Sequence, residues 1–375
     1  MTSFDNPLAS LRPAGPAGLL ARQRIAALAR DGAVAAAAPI EAAQLQPASL
    51  DLRLGAEAFR VRASFLPGRG ESVGDRLKSL NPERVSLVGD GAVLEKGIVY
   101  IAPLMERLAL PPSVSGAANP KSSTGRLDIF TRLIVDGSDA FDHVPAGYVG
   151  PMFAEISPRS FSVRVRAGVR LNQLRLRDGG EAAVLDAEAL RARHAASPLI
   201  DRPLALREGL ILHVGLAGDK AEVVGYRAIK NSDVIDVDRV GGYAALDFWE
   251  PILARADRRL VLDPDEFYIL ASREKMQIPA DLAAEMAPID PAIGEFRVHY
   301  AGFFDPGFGR GANGRPAARA VLEVRSRDVP FLIEDGQPVG RLVFEQLADA
   351  ADVLYGAETS NYQYQGLKLS KHFRT

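Results

Sequence analysis

One short stretch of the chain concentrates the residue types that bind anionic oxygens. Residues 120–127 read Pro-Lys-Ser-Ser-Thr-Gly-Arg-Leu, with two serines between the cations of Lys121 and Arg126. Hydroxyl and backbone N–H groups donate hydrogen bonds to such oxygens, the cations add charge, and Gly125 lets the backbone approach a ligand closely. The stretch therefore predicts a cradle for a phosphate-sized anion, although a solvated polar loop would have the same residue types.

A second stretch, residues 299–308, reads His-Tyr-Ala-Gly-Phe-Phe-Asp-Pro-Gly-Phe. Pro306 fixes its own φ and Gly307 accepts a positive φ, so Asp305-Pro306-Gly307 predicts a tight turn. A plain hairpin whose phenylalanines fill the core would explain this local pattern equally well.

The elements that must position these residues are mostly short strands. Leu50, Leu52 and Leu54 alternate with polar residues, which predicts a half-buried strand. One amphipathic helix is predicted over residues 18–30 and a short linker helix over residues 185–193. Short strands with frequent turns and few helices are typical of a β-barrel or β-sandwich.

The chain also repeats itself without a gap at a spacing of 168 residues (262 minus 94). Leu94–Val114 reads LEKGIVYIAPLMERLALPPSV, and Leu262–Leu282 reads LDPDEFYILASREKMQIPADL. The same register places Glu155 on Glu323. A repeat this long predicts tandem domains, which we place at residues 1–195 and 196–375. The matching positions are Leu94/Leu262, Tyr100/Tyr268, Ile101/Ile269, Glu106/Glu274, Arg107/Lys275, Leu110/Ile278 and Pro111/Pro279.

Composition excludes several classes of protein. The hydrophobic fraction of 47% and the charged fraction of 25% are those of a globular protein, and 375 residues suffice for two domains. Lys and Arg number 45 against 47 Asp and Glu, so no basic surplus favours nucleic acid or an anionic membrane as a partner. No signal-peptide pattern or membrane-length apolar run occurs, and we expect a cytoplasmic protein.

The absence of cysteine restricts the possible chemistry. It excludes disulfides, thiolate nucleophiles and Cys-x-x-Cys zinc ligands. The histidines have no metal-ligand spacing, so no zinc site is predicted; they are His143, His194, His213, His299 and His372.

Three motifs together resemble those of the dCTP deaminases of the trimeric dUTPase superfamily. Residues 121–126 are similar to the family's Arg-Ser-Ser-x-x-Arg motif, with Lys121 in place of the first arginine. Residues 46–55 resemble its early strand motif, and residues 299–308 its nucleoside-binding hairpin. The resemblance implies a mainly β fold of two tandem dUTPase-like barrels (β-clip or distorted jelly-roll) with a few short helices. It also implies hydrolysis of dCTP to dUTP and ammonia in pyrimidine deoxynucleotide metabolism.

The two copies have lost complementary parts of these motifs. In the register of the cradle, the second copy reads Pro-Ile-Asp-Pro-Ala-Ile-Gly over residues 288–294, and the carboxylate of Asp290 would repel phosphate. The hairpin is kept in the second copy and is looser in the first, at residues 142–148. Because the family joins the cradle of one barrel to the hairpin of a neighbour, we expect one composite site built from Lys121, Ser122, Ser123, Arg126, Ala301, Asp305 and Glu323.

The resemblance also assigns roles within this site. The family places its catalytic glutamate in the strand after the hairpin, which implies Glu323 or its equivalent Glu155. One carboxylate can deprotonate water and then protonate N3 and ammonia, provided that burial raises its pKa. Ser122 and Arg126 would orient the water and stabilise charge at the tetrahedral centre. Phe308 would fill the space that a ribose 2′-hydroxyl needs.

The C-terminal residues 360–371 resemble the family's segment that closes over base and phosphates, the alternative being a disordered terminus. Tyr364 and Gln365 would then contact the substrate. Lys368 and Lys371 would join Lys121 and Ser123 at the triphosphate, whose oxygens would carry Mg²⁺.

Two other functions are compatible with the same motifs. A dUTP pyrophosphatase, acting alone or after deamination, would use Asp305 to activate water at the α-phosphorus. A non-catalytic deoxynucleotide-binding regulatory protein would explain Lys121 and the damaged second cradle. The resemblance further implies a homo-oligomer, with dTTP as a candidate inhibitor.

Overall fold

The computed structural model describes residues 16–179, 183–289, 296–299, 302–326, 328–357 and 360–374. Ala301, which we predicted to bind substrate, and the altered cradle residues 290–294 lie outside the described residues.

The first copy is built mainly from strands. Its elements, in chain order, are β1 (Gly18–Leu19), α1 (Arg22–Arg30), β2 (Val34–Ala36), a 3₁₀ turn (Ala42–Gln44), β3 (Leu45–Gln46), β4 (Ser49–Arg53), β5 (Glu57–Val61), α2 (Val73–Leu80), β6 (Glu83–Ser86), β7 (Ala92–Leu94), β8 (Val99–Ala109), β9 (Val114–Pro120), α3 (Ser122–Gly125), β10 (Ile129–Val135), β11 (His143–Val144), β12 (Val149–Pro158), β13 (Val163–Val165) and β14 (Arg170–Asp178).

The second copy follows the same plan. Its elements are α4 (Ala187–Ala196), β15 (Leu210–His213), β16 (Val223–Ala228), β17 (Ile235–Asp236), β18 (Tyr243–Ala244), a 3₁₀ turn (Ala245–Asp247), β19 (Trp249–Leu253), β20 (Arg259–Leu262), β21 (Tyr268–Met276), β22 (Leu282–Ala287), β23 (Phe296–His299), β24 (Phe303–Phe304), β25 (Ala318–Ser326), β26 (Phe331–Glu334), β27 (Pro338–Gln346) and β28 (Phe373–Arg374).

Each copy folds as two antiparallel sheets around an apolar core. In the first copy the sheet orders are β11-β9-β14-β4-β3 and β10-β12-β8-β5-β6. In the second copy they are β15-β27-β22-β24 and β19-β16-β21-β25-β23. The mainly β fold predicted from the sequence is therefore confirmed.

Strand register confirms the internal duplication. Glu155 pairs with Ile101 between β12 and β8, and Glu323 pairs with Ile269 between β25 and β21. Both partners are shifted by 168 residues (323 minus 155 and 269 minus 101). The boundary at residue 195 stays a prediction. At this boundary α4 packs the buried side chain of Leu190 into the core of the second copy.

The two copies are joined by a shared sheet and a shared core. Strand β17 of the second copy pairs in parallel with β13 of the first. Phe161 of the first copy packs edge-on against Trp249 of the second, with ring centroids 5.4 Å apart. One continuous core includes buried residues of both copies, so a site between them can be rigid.

Strand β4 differs from its prediction. The alternating pattern predicts a half-buried strand, but all five of its residues are buried. Arg53 forms an ion pair with the buried Glu106 at 2.7 Å, and Asp51 faces Lys121 of the cradle. The polar face of this strand is therefore covered by charged partners from the same copy.

The predicted helices are present as α1 and α4. Helix α2 was not predicted, although a serine before a helix is a typical N-cap signal. In the structure Ser72 accepts a hydrogen bond from the backbone of Asp75 in this role. Among the described residues, no helix is long and apolar enough to cross a membrane.

Candidate active site

The cradle forms the connection between β9 and β10. Residues Ser122–Gly125 make one helical turn, and Lys121 precedes it in an extended conformation. Thr124 donates from its hydroxyl to the carbonyl of Leu171 at 3.0 Å, and the backbone N–H of Lys121 donates to the same carbonyl at 2.9 Å. The stretch is thus an anchored turn rather than a solvated loop.

Arg126 extends from the end of this turn into the second copy. Its guanidinium donates to the side-chain oxygen of Gln365 at 2.8 Å and to the carbonyl of Lys368 at 3.0 Å. The guanidinium carbon lies 4.0 Å from the ring centroid of Tyr362. Its Nε lies 3.9 Å from Oε1 of Glu323, and within the described residues this buried Nε has no hydrogen-bond partner.

Glu323 lies in the middle of β25, between strands β21 and β23. Only 7% of the residue is exposed. Burial raises the pKa of Glu323 to about 8, and the positive charge of Arg126 opposes this rise. At neutral pH the carboxyl can therefore exist with or without its proton, as a group that both takes and returns one requires.

The hairpin residues form the opposite wall of the site. Asp305 begins the predicted turn, with the backbone N–H of Phe308 donating to its carbonyl at 3.1 Å and Gly307 at a φ of +90°. Phe308 is buried and packs against Phe304 at 5.2 Å between ring centroids. Burial raises the pKa of the Asp305 carboxyl, against the opposing charge of Arg175.

The C-terminal segment lies over the cradle, although not through every residue we predicted. Gln365 contacts Arg126, and Lys371 lines the site. The ammonium group of Lys368 donates to the carbonyl of Asn361 at 2.7 Å. The backbone carbonyl of Lys368 accepts the hydrogen bond from Arg126. Tyr364 is 65% exposed and lines neither of the cavities described next.

Tyr362, which was not named from the sequence, contacts the cradle, and the predicted substrate contact of Tyr364 stays a prediction. Its hydroxyl lies 2.8 Å from the hydroxyl of Ser123 and accepts from the backbone N–H of Lys371 at 3.1 Å. The tail also donates from Ser370 to the carbonyl of Ser123 at 3.0 Å. The tail is therefore docked on the cradle.

Two cavities that share lining residues lie between the cradle, the hairpin and the tail. The inner cavity has a volume of about 40 Å³, enough for a few waters but not for a nucleobase, so a lining side chain must move to admit one. The outer cleft has a volume of about 460 Å³. Residues that line both are Ser122, Phe303, Asp305, Tyr355 and Tyr362. The inner cavity is also lined by Arg126, Phe308, Glu323 and Gln365.

Charge in the outer cleft is partly neutralised before any ligand binds. Lys121 forms an ion pair with Asp51, whose side chain is almost fully buried. Within the described residues the second carboxylate oxygen of Asp51 has no hydrogen-bond partner. The charge of Lys121 is thus largely balanced within the protein, by a carboxylate that is itself buried.

Glu155 occupies the equivalent position of the first copy but has different neighbours. Its carboxylate accepts from the guanidinium of Arg132 at 2.7 and 3.0 Å. That guanidinium also donates to Ser64 at 2.9 Å and lies 3.4 Å from the ring centroid of Phe141. Glu155 lines neither cavity.

Helix α2 covers the face of the first copy that carries Glu155. Its Val73 and Leu77 are buried in one cluster with Ile101 and Phe153. The equivalents of Ile101 and Phe153 in the second copy, 168 positions later, are Ile269 and Val321. Both pack in the core shared with the first copy. The face that meets the cradle in one copy is therefore closed by a helix in the other.

Tyr362, Asp51 and Arg175 belong to the site but were not identified from the sequence. Asp51 lies within the early strand motif and could have been named from it. Tyr362 lies in the tail motif, but its contacts depend on how an irregular segment wraps. Arg175 lies on β14, which the sequence analysis did not assign a role.

The described residues of the site do not include a cluster of metal-ligating side chains. Among the described residues, no three side chains of His, Cys, Asp or Glu are grouped so that they could hold a metal ion.

Comparison with protein-family models gives two matches that follow the duplication. The model described as the 2'-deoxycytidine 5'-triphosphate deaminase (DCD) N-terminal domain matches residues 16–180. The model of the C-terminal domain of the same family matches residues 186–373.

Solved and curated relatives agree with these models. The crystal structure of 2'-deoxycytidine 5'-triphosphate deaminase from Agrobacterium tumefaciens is 51% identical, with a TM-score of 0.84, over 88% of this chain and 99% of that one. A dUMP-forming dCTP deaminase of Kocuria rhizophila is 32% identical over 29% of this chain and 55% of its own length. A dCTP deaminase of Haloarcula marismortui is 30% identical over 35% of this chain and 65% of its own length.

The chain thus spans between half and two thirds of the length of these curated relatives, and nearly the whole of the solved one. On the family models and the solved structure together, the chain belongs to the 2'-deoxycytidine 5'-triphosphate deaminase family.

Proposed function

We propose that the protein hydrolyses dCTP to dUTP and ammonia at one composite site per chain. The observation that carries this proposal is the approach of Arg126 to Glu323, 3.9 Å apart at the inner cavity and contributed by different copies. Each copy supplies what the other lacks, since the first has the cradle and the second has the hairpin. Membership of the deaminase family supports the choice of substrate.

In this proposal Glu323 is the proton-transferring group. With a pKa near 8, its carboxylate takes a proton from water as the oxygen attacks C4 of cytosine, and passes that proton to N3. It then takes the proton of the new C4 hydroxyl and passes it to the amino group, which leaves as ammonia while the C4 carbonyl forms. Ser122 orients the water. The unpartnered Nε of Arg126 stabilises negative charge that develops at the tetrahedral centre. The water is activated by a carboxylate, without zinc.

The outer cleft binds the triphosphate. Lys121, Ser123 and Lys371 line it and supply cations and a hydroxyl. Mg²⁺ carried by the nucleotide would neutralise phosphate charge. Phe308 lines the inner cavity. In this proposal it lies against the deoxyribose, where a 2′-hydroxyl would need extra room.

The contacts of Glu155 support Glu323 as the catalytic residue. Glu155 is held by Arg132 and covered by α2, so a nucleotide cannot reach it without unpacking a helix. The residues proposed for the site come from both copies of one chain. A homo-oligomer, inhibition by dTTP and a cytoplasmic location stay predictions from the sequence.

The deciding experiment measures all products at once. Purified protein with dCTP and Mg²⁺ is assayed for ammonia, dUTP, dUMP and pyrophosphate, beside Arg126→Ala. Ammonia and dUTP that disappear in the variant support the proposal. Tight binding of dCTP without any turnover would contradict it and would support a regulatory protein.

A second candidate is a bifunctional enzyme that forms dUMP. It is favoured by Asp305, which lines both the inner cavity and the outer cleft and therefore lies between base and phosphates. Some curated relatives are named as dUMP-forming dCTP deaminases. Pyrophosphate and dUMP in the same assay, both lost in Asp305→Asn while ammonia release continues, would establish this second activity.

A further inference from the structure

Arg175 of the first copy reaches into the hairpin of the second. It lies on β14, only 4% exposed. Its Nη1 donates to the carbonyl of Ala284 at 3.0 Å, and its Nη2 donates to the carbonyl of Phe304 at 3.0 Å. Nη2 also lies 3.5 Å from Oδ1 of Asp305, and the guanidinium carbon lies 3.9 Å from the ring centroid of Phe303.

These contacts hold together two strands that otherwise pair briefly. Ala284 of β22 and Phe304 of β24 are direct register partners, and β24 is only two residues long. A strand this short has few ladder hydrogen bonds. One planar guanidinium that donates to a carbonyl on each strand therefore acts as a clamp across the pair.

The clamp exists for one hairpin only among the described residues. The position equivalent to Arg175 in the second copy, 168 residues later, is Val343, whose side chain has no donor. Of these two equivalent positions, only position 175 has an arginine, and it contacts the hairpin that borders the inner cavity.

The clamped segment also forms the wall of that cavity. Phe303 and Asp305 line both cavities, and Phe304 packs on Phe308 at 5.2 Å between ring centroids. The charge of Arg175 opposes the burial that raises the pKa of Asp305. A shift of Arg175 would therefore move the aromatic wall and alter the charge of Asp305 together.

We infer that Arg175 is a positioning residue that clamps the hairpin of the neighbouring copy and sets how closely its aromatic wall fits the sugar of the nucleotide. The sugar-fit part of this inference rests on the proposed function. The clamp itself does not, because it concerns the hairpin alone.

The test compares Arg175→Met with Arg177→Met in the full-length protein. Arg177 lies two residues later on the same strand and bridges the same two copies through Glu345, with Nη2 2.7 Å from Oε2. Among the described residues, the side-chain hydrogen bonds of Arg177 go to Glu345 and not to the hairpin. Arg177→Met therefore controls for the loss of an arginine that links the two copies.

The first readout is amide hydrogen exchange of residues 302–309, which needs no activity. Exchange should be about tenfold faster in Arg175→Met, as expected for loss of about two hydrogen bonds, and unchanged in Arg177→Met. Equal exchange in Arg175→Met and wild type would overturn the clamp. If Arg175→Met does not fold, Arg175→Lys replaces it, since lysine cannot donate along two fixed directions. Wild-type exchange in that variant would also overturn the clamp.

The second readout is the ratio of kcat/KM for dCTP to kcat/KM for CTP. In Arg175→Met the ratio should fall about tenfold, mainly through KM, with Arg177→Met at the wild-type value. Faster exchange with an unchanged ratio would refute the role in sugar fit. If the wild-type protein deaminates neither nucleotide, the proposed function fails, and exchange still decides the clamp.

Discussion

Nε of Arg126 and Oε1 of Glu323 lie 3.9 Å apart, although 197 positions separate the two residues (323 minus 126). Each copy contributes one member of this pair. The first copy also has a buried glutamate of its own, Glu155, but pairs it closely with Arg132. Duplication has therefore produced one open arginine–carboxylate pair at a cavity and one closed pair beneath a helix.

Replacement of the two equivalent glutamates by glutamine should show which of them is needed for deamination of dCTP. We expect Glu323→Gln to lower kcat for dCTP deamination by about 10²–10⁴-fold, because an amide cannot take a proton from water. Glu155→Gln should stay within about threefold of wild type, because Glu155 does not line either cavity. Steady-state ammonia release measures both. The reverse result would move the active site into the first copy.

The same substitution should stabilise the protein in a pH-dependent way. Burial raises the pKa of Glu323 from 4.5 to about 8, so the folded state binds one more proton than the unfolded state between these values. Wild-type stability therefore falls with rising pH in this window, by on the order of 1 kcal/mol per unit from this residue. Glu323→Gln has no titrating carboxyl at this position, so its stability should not fall with rising pH for this reason.

Urea unfolding of wild type and Glu323→Gln at pH 5 and pH 8 tests this prediction. The variant should match wild type near pH 5 and exceed it by a few kcal/mol at pH 8. Glu155→Gln serves as the control for removal of a buried carboxylate. A stability difference that is the same at both pH values would refute the raised pKa of Glu323.

The sequence predicted the repeat and the pairing of Arg126 with Glu323, because both follow from local motifs placed in register. It did not predict the role of Arg175. Alternation along β14 indicates which side of the strand a residue lies on, but not that the second copy covers that side. The contacts of Tyr362 with the cradle were not predicted for a related reason, since an irregular tail has no periodicity that assigns its faces. The substrate contact of Tyr364 stays a prediction.

Removal of metals should distinguish zinc from magnesium. Treatment with 1,10-phenanthroline, followed by dialysis and addition of Mg²⁺, should leave kcat and the thermal midpoint unchanged. The chain has no cysteine, and its described residues include no group of three metal-ligating side chains. Omission of Mg²⁺ should instead raise KM for dCTP, because phosphate charge is then left uncompensated. Activity that is lost on treatment and restored by Zn²⁺ would refute carboxylate activation of the water.

Docking of the tail should depend on the hydroxyl of Tyr362 and not on that of Tyr364. The Tyr362 hydroxyl lies 2.8 Å from that of Ser123 and accepts from Lys371 at 3.1 Å, whereas Tyr364 is 65% exposed. Loss of a neutral hydrogen bond costs about 1 kcal/mol, so Tyr362→Phe should raise KM for dCTP about fivefold. Tyr364→Phe removes a hydroxyl from the same tail and is the matched control, with KM expected at the wild-type value. Equal effects of the two substitutions would mean that the tail binds the nucleotide in a different arrangement from the docked one. A larger effect of Tyr364→Phe would return the substrate contact to the residue first predicted from the sequence.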